Sequence, residues 1–319
     1  MNISVIIPNY NHAAYLPSRL SSITKQTYID FEAIMLDDSS IDSSITILNK
    51  HALIDSRFQL YTNDLNSGST FAQWNKGISL ARGEFIWIAE SDDFADDYLL
   101  ESLLKQMEAD SNIVLAYCQS NRINEKGEIV GNWIDFTSEF ERGKLFEKDF
   151  IMSGKEYIQQ FLIHRNTIPN ASAVLFRKSV FDKIGGAPIH LKTNGDWLTW
   201  LKMLCFGNVA YVCSSLNNFR RHGESVIGKT HQIPETNTYR ERYDYTMRQE
   251  FLSFLRENEI SFPLDVLHEN AYYMSLDLGN KGLFNLKKGY FLKGWKDIIK
   301  ASFLSKFQSG FIKKGVRLK

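Results

Sequence analysis

The sequence has no long hydrophobic run, few cysteines and no net charge. No stretch of its 319 residues reaches the roughly 18 consecutive apolar side chains that spanning a bilayer requires. The 37 basic and 37 acidic side chains cancel, which argues against a global nucleic-acid-binding surface. The three cysteines lack metal-ligand spacing, and their odd number favours reduced core residues. Because no basic leader precedes the first apolar segment, we expect a cytoplasmic protein that does not bind nucleic acid.

Three common nucleotide-binding patterns are also missing. The first apolar segment is followed by neither Gly-x-Gly-x-x-Gly nor Gly-x-x-x-x-Gly-Lys-Ser/Thr. A dinucleotide dehydrogenase and a P-loop phosphohydrolase therefore lose support. A sugar-phosphate nucleotidyltransferase is an alternative function, but the Gly-x-Gly-Thr-Arg type of loop that it would need is absent after Ile7. A nucleotide held by carboxylates and a metal ion remains.

What is present is a regular alternation of apolar strands and amphipathic helices, in a chain that is 44% hydrophobic. This alternation predicts an α/β fold with a mainly parallel sheet and helices on both faces. We place this domain at residues 1–225 and a helical, basic extension at residues 226–319. The predicted strands are Ile3–Pro8, Phe31–Leu36, Phe58–Tyr61, Phe85–Ala89, Ile113–Cys118, Ser172–Arg177 and Val209–Cys213.

Polar clusters follow three of the predicted strands. Pro8-Asn9-Tyr10-Asn11 follows the first strand, Asp37-Asp38-Ser39-Ser40 the second and Glu90-Ser91-Asp92-Asp93 the fourth. Because the carboxyl ends of parallel strands share one edge of a sheet, we expect these clusters to meet. Carboxylates this close repel one another, and Mg²⁺ or Mn²⁺ would offset that repulsion. The alternative for the last cluster is a surface loop that caps a helix.

The ordered combination of three motifs resembles family 2 glycosyltransferases over about the first 225 residues. The motifs are Ser4 to Asn11, Leu36 to Asp42 and Gly83 to Asp93. The resemblance implies a GT-A fold, a nucleotide-sugar donor such as a UDP-sugar, a divalent cation (Mn²⁺ or Mg²⁺) and inversion at the anomeric carbon. It also implies a saccharide or lipid-linked saccharide acceptor, as in surface-polysaccharide synthesis.

The resemblance implies a set of donor-binding residues at these strand ends. A carboxylate at Asp38 suits the imide N–H of uracil, because that group is a hydrogen-bond donor. Gly68 would let the backbone approach the nucleotide closely, although a helix N-cap turn also explains the stretch around it. Arg221 would pair with phosphate oxygens. The full donor-binding set is Pro8, Asn9, Tyr10, Asp38, Asn66, Gly68, Asn75, Ser91, Asp92 and Arg221.

The resemblance further implies a metal site at the acidic strand end. Asp92 and Asp93 are the expected carboxylate ligands, and His222 would complete the site from an Arg-x-His-like element. A structural role is the alternative for this histidine. Glu90 stands where the family motif begins with an aspartate.

The resemblance assigns the general base to Asp196, at the start of a predicted helix. Inversion needs a carboxylate within about 3 Å of the acceptor hydroxyl, on the face opposite the leaving diphosphate. An N-cap is the alternative role for this residue. Gly195 replaces the usual glutamate of the motif. Together with Glu90, this departure keeps a catalytically silent nucleotide-sugar-binding subunit as another alternative.

The C-terminal segment is basic and amphipathic. From Lys281 to Lys319 it carries eleven Lys or Arg and one acid, Asp297. Apolar residues recur at helical spacing between Phe291 and Phe303, while the lysines cluster towards another face. Two interpretations stay open. The segment is either a peripheral contact with an anionic membrane or a helix packed on the catalytic domain with its lysines in solvent.

Overall fold

The computed structural model describes residues 2–138, 140, 143–168, 170–191, 193–223 and 244–312, without the side chains of residue 143 and of residues 306–312. The chain divides into two compact units. The predicted domain boundary at residue 225 lies outside the described residues, so that division of the chain stays a prediction. The sheet unit comprises Met1–Tyr157, Thr167–His190 and Gly195–His222, and the helical unit comprises Ile158–Asn166, Leu191–Asn194 and Gly223–Lys319.

A mixed, mostly parallel sheet runs through the sheet unit. Its strands are β1 (Ile3–Asn9), β2 (Phe31–Asp37), β3 (Phe58–Thr62), β4 (Phe85–Ile88), β5 (Phe94–Ala95), β6 (Ile113–Ile123), β7 (Ile129–Asn132), β8 (Phe150–Ser153), β9 (Val174–Arg177) and β10 (Asn208–Arg220). They lie in the order β3, β2, β1, β4, β9, β6, β10, β5, and β7 and β8 pair with β6 and β10. Antiparallel β9 separates parallel β1 to β4 from the parallel pair β6 and β10.

Eight α-helices accompany this sheet in the described part of the unit. They are α1 (Leu16–Thr24), α2 (Ser44–Ile54), α3 (Thr70–Leu80), α4 (Leu99–Ala109), α5 (Ile134–Thr137), α6 (Gly154–Tyr157), α7 (Lys178–Lys183) and α8 (Gly195–Leu204). All residues of β1, β2 and β4 are buried, as their continuous apolar runs predict. Ile3, Val5 and Ile7 of β1 share one apolar core with α1 and α4.

The end of β10 departs from the sequence prediction and is important for the site. The apolar pattern predicts a strand ending at Cys213, but β10 continues to Arg220. Irregular pairing with β6 between Val212 and Asn217 interrupts the two-residue alternation, so periodicity misses the second half of the strand. Because the strand continues, it carries Arg220 and His222 to the edge where β1 and β4 end.

The helical unit is built mainly from α9 (Asp244–Glu257), α10 (Leu264–Lys287) and α11 (Phe291–Ile312). The predicted helical extension is therefore confirmed over the described residues. Gly289, at φ +81°, follows the end of α10, where Tyr290 N–H donates to Asn285 O at 2.8 Å. A Cβ on Gly282 would lie 2.8 Å from Gly294 O, so α10 and α11 touch through glycines. Among the described helices, none combines the length and apolar character needed to cross a bilayer.

Candidate functional site

The loops that follow β1 and β2 are tied to each other by hydrogen bonds. Asn11 and Ser39 adopt left-handed backbone conformations, with φ of 56° and 62°. The Asn11 N–H donates to Ser40 Oγ at 2.9 Å, and the Ile41 N–H donates to Asn11 Oδ1 at 2.8 Å. These bonds fix the chain at Asn11, immediately before His12.

Three side chains from separate segments converge beyond the ends of β1, β4 and β10. The metal-ligating atoms of His12, Asp92 and His222 all lie within 4.8 Å of one another. Asp92 Oδ2 is 3.0 Å from His222 Nε2, and His12 Nδ1 is 2.7 Å from Ser91 Oγ. Burial acts to raise the pKa of Asp92, but the bond to His222 and the nearby imidazole of His12 hold it below its usual value.

One carboxylate and two imidazoles form a donor set that suits a first-row divalent metal ion. The structure therefore brings two of the three predicted ligands, Asp92 and His222, into one group. It adds His12, which the sequence prediction missed. His12 directly follows the first motif, and its spacing to the other two ligands carries no signal. The sequence could indicate His12 as a ligand only if the end of β10 were already known.

The third predicted ligand, Asp93, lies outside this group. It is 1% exposed and accepts a hydrogen bond from the Arg220 N–H at 2.8 Å. Its Oδ2 is 4.0 Å from the guanidinium of Arg19. Burial and the charge of Asp92 raise the pKa of Asp93 to about 7, although Arg19 acts against this shift. Its carboxylate holds the end of β10 against the acidic strand end.

A buried arginine beneath the acidic strand end was not predicted. Arg19 donates from Nε to Glu90 O at 2.8 Å and from Nη2 to Ser172 Oγ at 3.2 Å. Burial lowers its pKa to about 10, while Asp93 and Asp92 act to raise it. The sequence does contain a signal, because position 19 lies on the same helical face as Leu16 and other apolar core residues. An arginine on a buried helix face indicates a buried acidic partner.

Glu90 is bound to a tryptophan rather than aimed at the cluster of possible ligands. Trp74 Nε1 donates to Glu90 Oε1 at 2.8 Å. Burial and the neighbouring charge of Asp92 raise the pKa of Glu90 to about 8. Two of the three carboxylates at this strand end thus hold protons more tightly than usual, and Asp92 is the one that does not.

Asp38 is buried in a network of hydrogen bonds from its own chain. Its carboxylate accepts bonds from Asn63 Nδ2 at 2.5 Å, Gln73 Nε2 at 2.9 Å and Ser67 Oγ at 2.7 Å. The Ser67 N–H adds a bond at 2.9 Å. Four donors fill the roughly four acceptor positions of a carboxylate. The structure thus ties Asp38 to the loop after β3, and its predicted contact with a nucleobase stays a prediction.

The predicted donor residues around α3 are also engaged with the backbone. Asn66 accepts a bond from the Gly68 N–H at 2.7 Å and donates to Asp38 O at 3.1 Å. Gly68 has φ +67° and lies in an exposed turn. Asn75 Nδ2 donates to Ala187 O, and the Ala187 N–H donates to Asn75 Oδ1, each at 2.9 Å. Asn75 therefore ties α3 to the loop after α7.

The remaining predicted donor residues differ in exposure. Pro8 and Asn9 are buried, and Asn9 Nδ2 donates to Asp37 Oδ1 at 2.8 Å. Tyr10 is 43% exposed, which leaves its ring available to a ligand. Arg221 is exposed, with its guanidinium 5.5 Å from the centre of the Trp133 ring.

The predicted general base, Asp196, is half-buried in the first turn of α8. The structure explains the glycine before it. A Cβ on Gly195 would lie 2.4 Å from Phe71 Cε2, closer than such atoms approach. Phe71 is 5% exposed and packs edge-on against Trp74. A glutamate cannot be accommodated at position 195 while Phe71 keeps this position.

Comparison with known proteins identifies relatives of one kind. The family model described as glycosyl transferase family 2 matches residues 4–185. Glycosyltransferase GlyG of Streptococcus pneumoniae is 38% identical over 114 residues, which cover 35% of this chain and 38% of GlyG. Chondroitin synthase of Escherichia coli is 29% identical over 238 residues, which cover 75% of this chain and 32% of that protein. The chain thus covers less than two fifths of the length of these relatives.

The solved structures agree on the fold. The structure of S. aureus TarS 1-349 in complex with UDP has a TM-score of 0.59 to this chain at 18% sequence identity. The match covers 97% of this chain and 92% of TarS 1-349. At this identity the likeness shows the fold alone. The α/β fold of the GT-A type, with a helical C-terminal extension, is confirmed.

Proposed function

Because this chain belongs to glycosyl transferase family 2, we propose that it transfers a sugar from a nucleotide diphosphate donor, a UDP-sugar, to a saccharide or lipid-linked saccharide. The convergence of His12, Asp92 and His222 beyond the strand ends carries this proposal. A nucleotide diphosphate bound at that edge of the sheet meets a metal-ligating group there. The fold shared with TarS, whose structure contains UDP, supports uridine as the nucleoside. The similarity to chondroitin synthase supports a role in surface-polysaccharide synthesis.

We propose that Asp92, His222 and His12 hold the divalent cation together with the donor. Mg²⁺ prefers a shell of oxygen atoms, so two imidazoles in the set favour Mn²⁺ over Mg²⁺. A cation there supplies positive charge that stabilises the departing nucleoside diphosphate. Ser91 would orient the His12 ring through the bond to Nδ1. Asp93 would act on the site by holding β10.

The rest of the donor would be held by exposed groups around this cluster. We propose that the Tyr10 ring stacks on the nucleobase, because it is 43% exposed at the end of β1. Arg221, exposed next to His222, would pair with diphosphate oxygens. Asp38 would position the loop that contains Ser67 rather than bind the base directly, since its acceptor positions are filled.

Asp196 would serve as the general base of an inverting transfer. It accepts the proton of the acceptor hydroxyl while that oxygen bonds to the anomeric carbon and the bond to the diphosphate oxygen breaks. Attack on the face opposite the leaving group inverts the configuration. With glycine at position 195, Asp196 is the one carboxylate that this motif offers to the acceptor.

The thiols and the charge distribution support a location for the reaction. Cys118 and Cys205 are buried and free, which suits a reducing compartment. We therefore propose a cytoplasmic enzyme whose basic C-terminal segment contacts the membrane peripherally. Such a contact would hold the enzyme at the membrane that carries a lipid-linked acceptor.

Release of UDP from a panel of UDP-sugars in the presence of Mn²⁺ tests the proposal. We expect one sugar to be turned over, and we expect Asp196→Asn to lower the rate at least about 100-fold with UDP affinity unchanged. Asp97→Asn, an exposed carboxylate two residues before α4, is the matched control and should keep full activity.

Three results would contradict parts of this proposal. Full turnover by the Asp196→Asn variant would exclude Asp196 as the base. Release of pyrophosphate from a sugar phosphate and a nucleoside triphosphate would indicate nucleotidyl transfer instead. UDP-sugar binding without any UDP release, with a range of saccharide acceptors supplied, would indicate a silent binding subunit.

A further inference from the structure

An apolar stripe on α11 faces the solvent. Its members recur at intervals of three to four residues, so they share one side of the helix. Their exposed fractions lie between 52% and 92%, which is unusual for four large apolar side chains on one side of a helix. The stripe consists of Leu292, Trp295, Ile299 and Phe303.

The stripe is not the surface that joins α11 to α10. The contact with α10 uses Gly294 and Ala301, which are buried. At 100° per residue these two positions lie about 145° to 165° around the helix from the centre of the stripe. A Cβ on Gly294 would lie 2.7 Å from Leu286 Cγ, so this inner side of α11 is closely packed. The helix therefore has two apolar sides, and within the described residues the outer one remains open to solvent.

Lysines border the stripe on one side. Lys293, Lys296 and Lys300 are all exposed, at positions about 55° to 115° around the helix from the centre of the stripe. The acid of this helix, Asp297, lies towards the inner side, where its Oδ2 accepts a bond from Asn285 Nδ2 at 3.2 Å. The outer side of α11 is thus apolar along its middle and positively charged along one edge.

We propose that this lysine-bordered stripe docks α11 flat on the surface of an anionic lipid bilayer. Apolar side chains enter the boundary between headgroups and acyl chains, and lysines contact the negatively charged headgroups. Trp295, 56% exposed, suits this interface because its ring is amphipathic. This inference deepens the membrane contact of the proposed function by assigning it to particular residues. It does not depend on sugar transfer.

The charge pattern favours a bilayer over other partners. Two copies of α11 pairing through the stripe would bring six lysines to one interface. The stripe itself is apolar and offers no carboxylate to balance their charge. A nucleic acid would leave the apolar middle of the surface uncovered. An anionic bilayer satisfies both the apolar middle and the basic edge.

Co-sedimentation of the full chain with vesicles tests the proposal. We expect binding to vesicles of phosphatidylcholine with 30% phosphatidylglycerol, weakening as salt is raised, and little binding to pure phosphatidylcholine. The variant K293Q/K296Q/K300Q should lower the partition coefficient about fivefold per lysine. The variant L292S/I299S should lower it at least about tenfold. The matched controls K25Q/K50Q/K105Q and L53S change equally exposed residues elsewhere and should bind as the unchanged chain does.

The position of the bound helix can be read from Trp295. Brominated acyl chains should quench part of the tryptophan fluorescence, and Trp295→Phe should remove that quenched part. Failure to bind anionic vesicles, or equal loss in the controls, would overturn the proposal. So would a dimer in vesicle-free solution that L292S/I299S dissociates, since that result assigns the stripe to a second copy. All these variants should bind UDP as the unchanged chain does. This measurement distinguishes a failure of the membrane-docking proposal from a failure of the proposed function.

Discussion

At the scale of single residues, the candidate site divides its carboxylates into two kinds. Asp38 and Asp93 are bound by donors of the protein itself, whereas Asp92 faces two imidazoles. Motif resemblance alone cannot separate these roles, because all three residues are aspartates in acidic strand ends. The hydrogen-bond partners that decide the matter come from distant segments such as the end of β10.

The bonds at Asp38 predict a structural effect of its removal. Asp38→Ala removes a buried acceptor that Asn63, Ser67 and Gln73 share, so we expect the free energy of unfolding to fall by roughly 1 to 3 kcal/mol. Asp64→Ala, an exposed aspartate in the loop after β3, is the control and should be nearly neutral. Chemical denaturation and UDP titration of both variants provide the measurement. A loss of UDP affinity at unchanged stability would instead favour direct contact with the base.

A second buried carboxylate predicts a pH dependence of stability. Burial acts to raise the pKa of Glu32, but hydrogen bonds from Ser4 Oγ, the Arg82 N–H and the Arg82 guanidinium outweigh it and hold the pKa below its usual value. A lowered folded-state pKa stabilises the fold above the unfolded pKa of about 4.3. That stabilisation is lost as the pH falls through the folded-state pKa.

We therefore expect Glu32→Gln to lower the free energy of unfolding by roughly 1 to 3 kcal/mol at neutral pH. The difference from the unchanged chain should shrink as the pH falls from about 4 to about 2. Urea titrations across this range provide the measurement. A difference that is constant with pH would show that the ionised carboxylate is not what stabilises this contact.

At the scale of secondary-structure elements, glycines set how closely two pairs of helices approach. Gly195 lets the start of α8 lie against α3, and Gly282 lets α10 lie against α11. From the sequence alone, Gly195 is only a departure from a motif. The role of both glycines becomes visible once the neighbouring helix is known, because a missing side chain leaves no pattern in its own segment.

The start of α8 predicts a pair of compensating substitutions. Gly195→Ala places a Cβ 2.4 Å from Phe71 Cε2, so we expect it to cost roughly 1 to 3 kcal/mol of stability. Phe71→Leu should reduce this cost, because it removes the ring that the new methyl group meets. A double-mutant cycle measures the coupling. Strictly additive effects would contradict the contact.

The contact between α10 and α11 predicts opposite effects for two glycines of one helix. Gly279→Ala meets nothing closer than Ala301 Cβ at 3.9 Å, so it should stabilise α10 by about 0.5 to 1 kcal/mol through helix propensity. Gly282→Ala would meet Ile298 Cγ1 at 2.6 Å and should destabilise the helical unit. Thermal unfolding followed by circular dichroism distinguishes them. Equal signs for the two variants would mean that the helices do not pack through Gly282.

At the scale of the whole molecule, the sequence predicts the α/β fold and the edge of the sheet at which the site lies. It does not predict all three members of the metal-ligating group. The continuous apolar runs of β1, β2 and β4 and their polar ends are local features of the sequence. The position of His222 beside Asp92 followed from the family resemblance. His12 and Arg19 were missed because their roles depend on contacts 70 or more residues away in sequence, namely Ser91, Glu90 and Ser172.

The central claim is that His12, Asp92 and His222 together bind a divalent cation with a nucleoside diphosphate. Calorimetric titration of UDP with and without Mn²⁺ tests it most directly, using the unchanged chain, His12→Ala, Asp92→Asn, His222→Ala and the control Asp97→Asn. We predict that Mn²⁺ strengthens UDP binding at least about tenfold in the unchanged chain and the control. Each of the three site variants should lose most of that gain. A gain from Mn²⁺ that persists in Asp92→Asn would contradict the account.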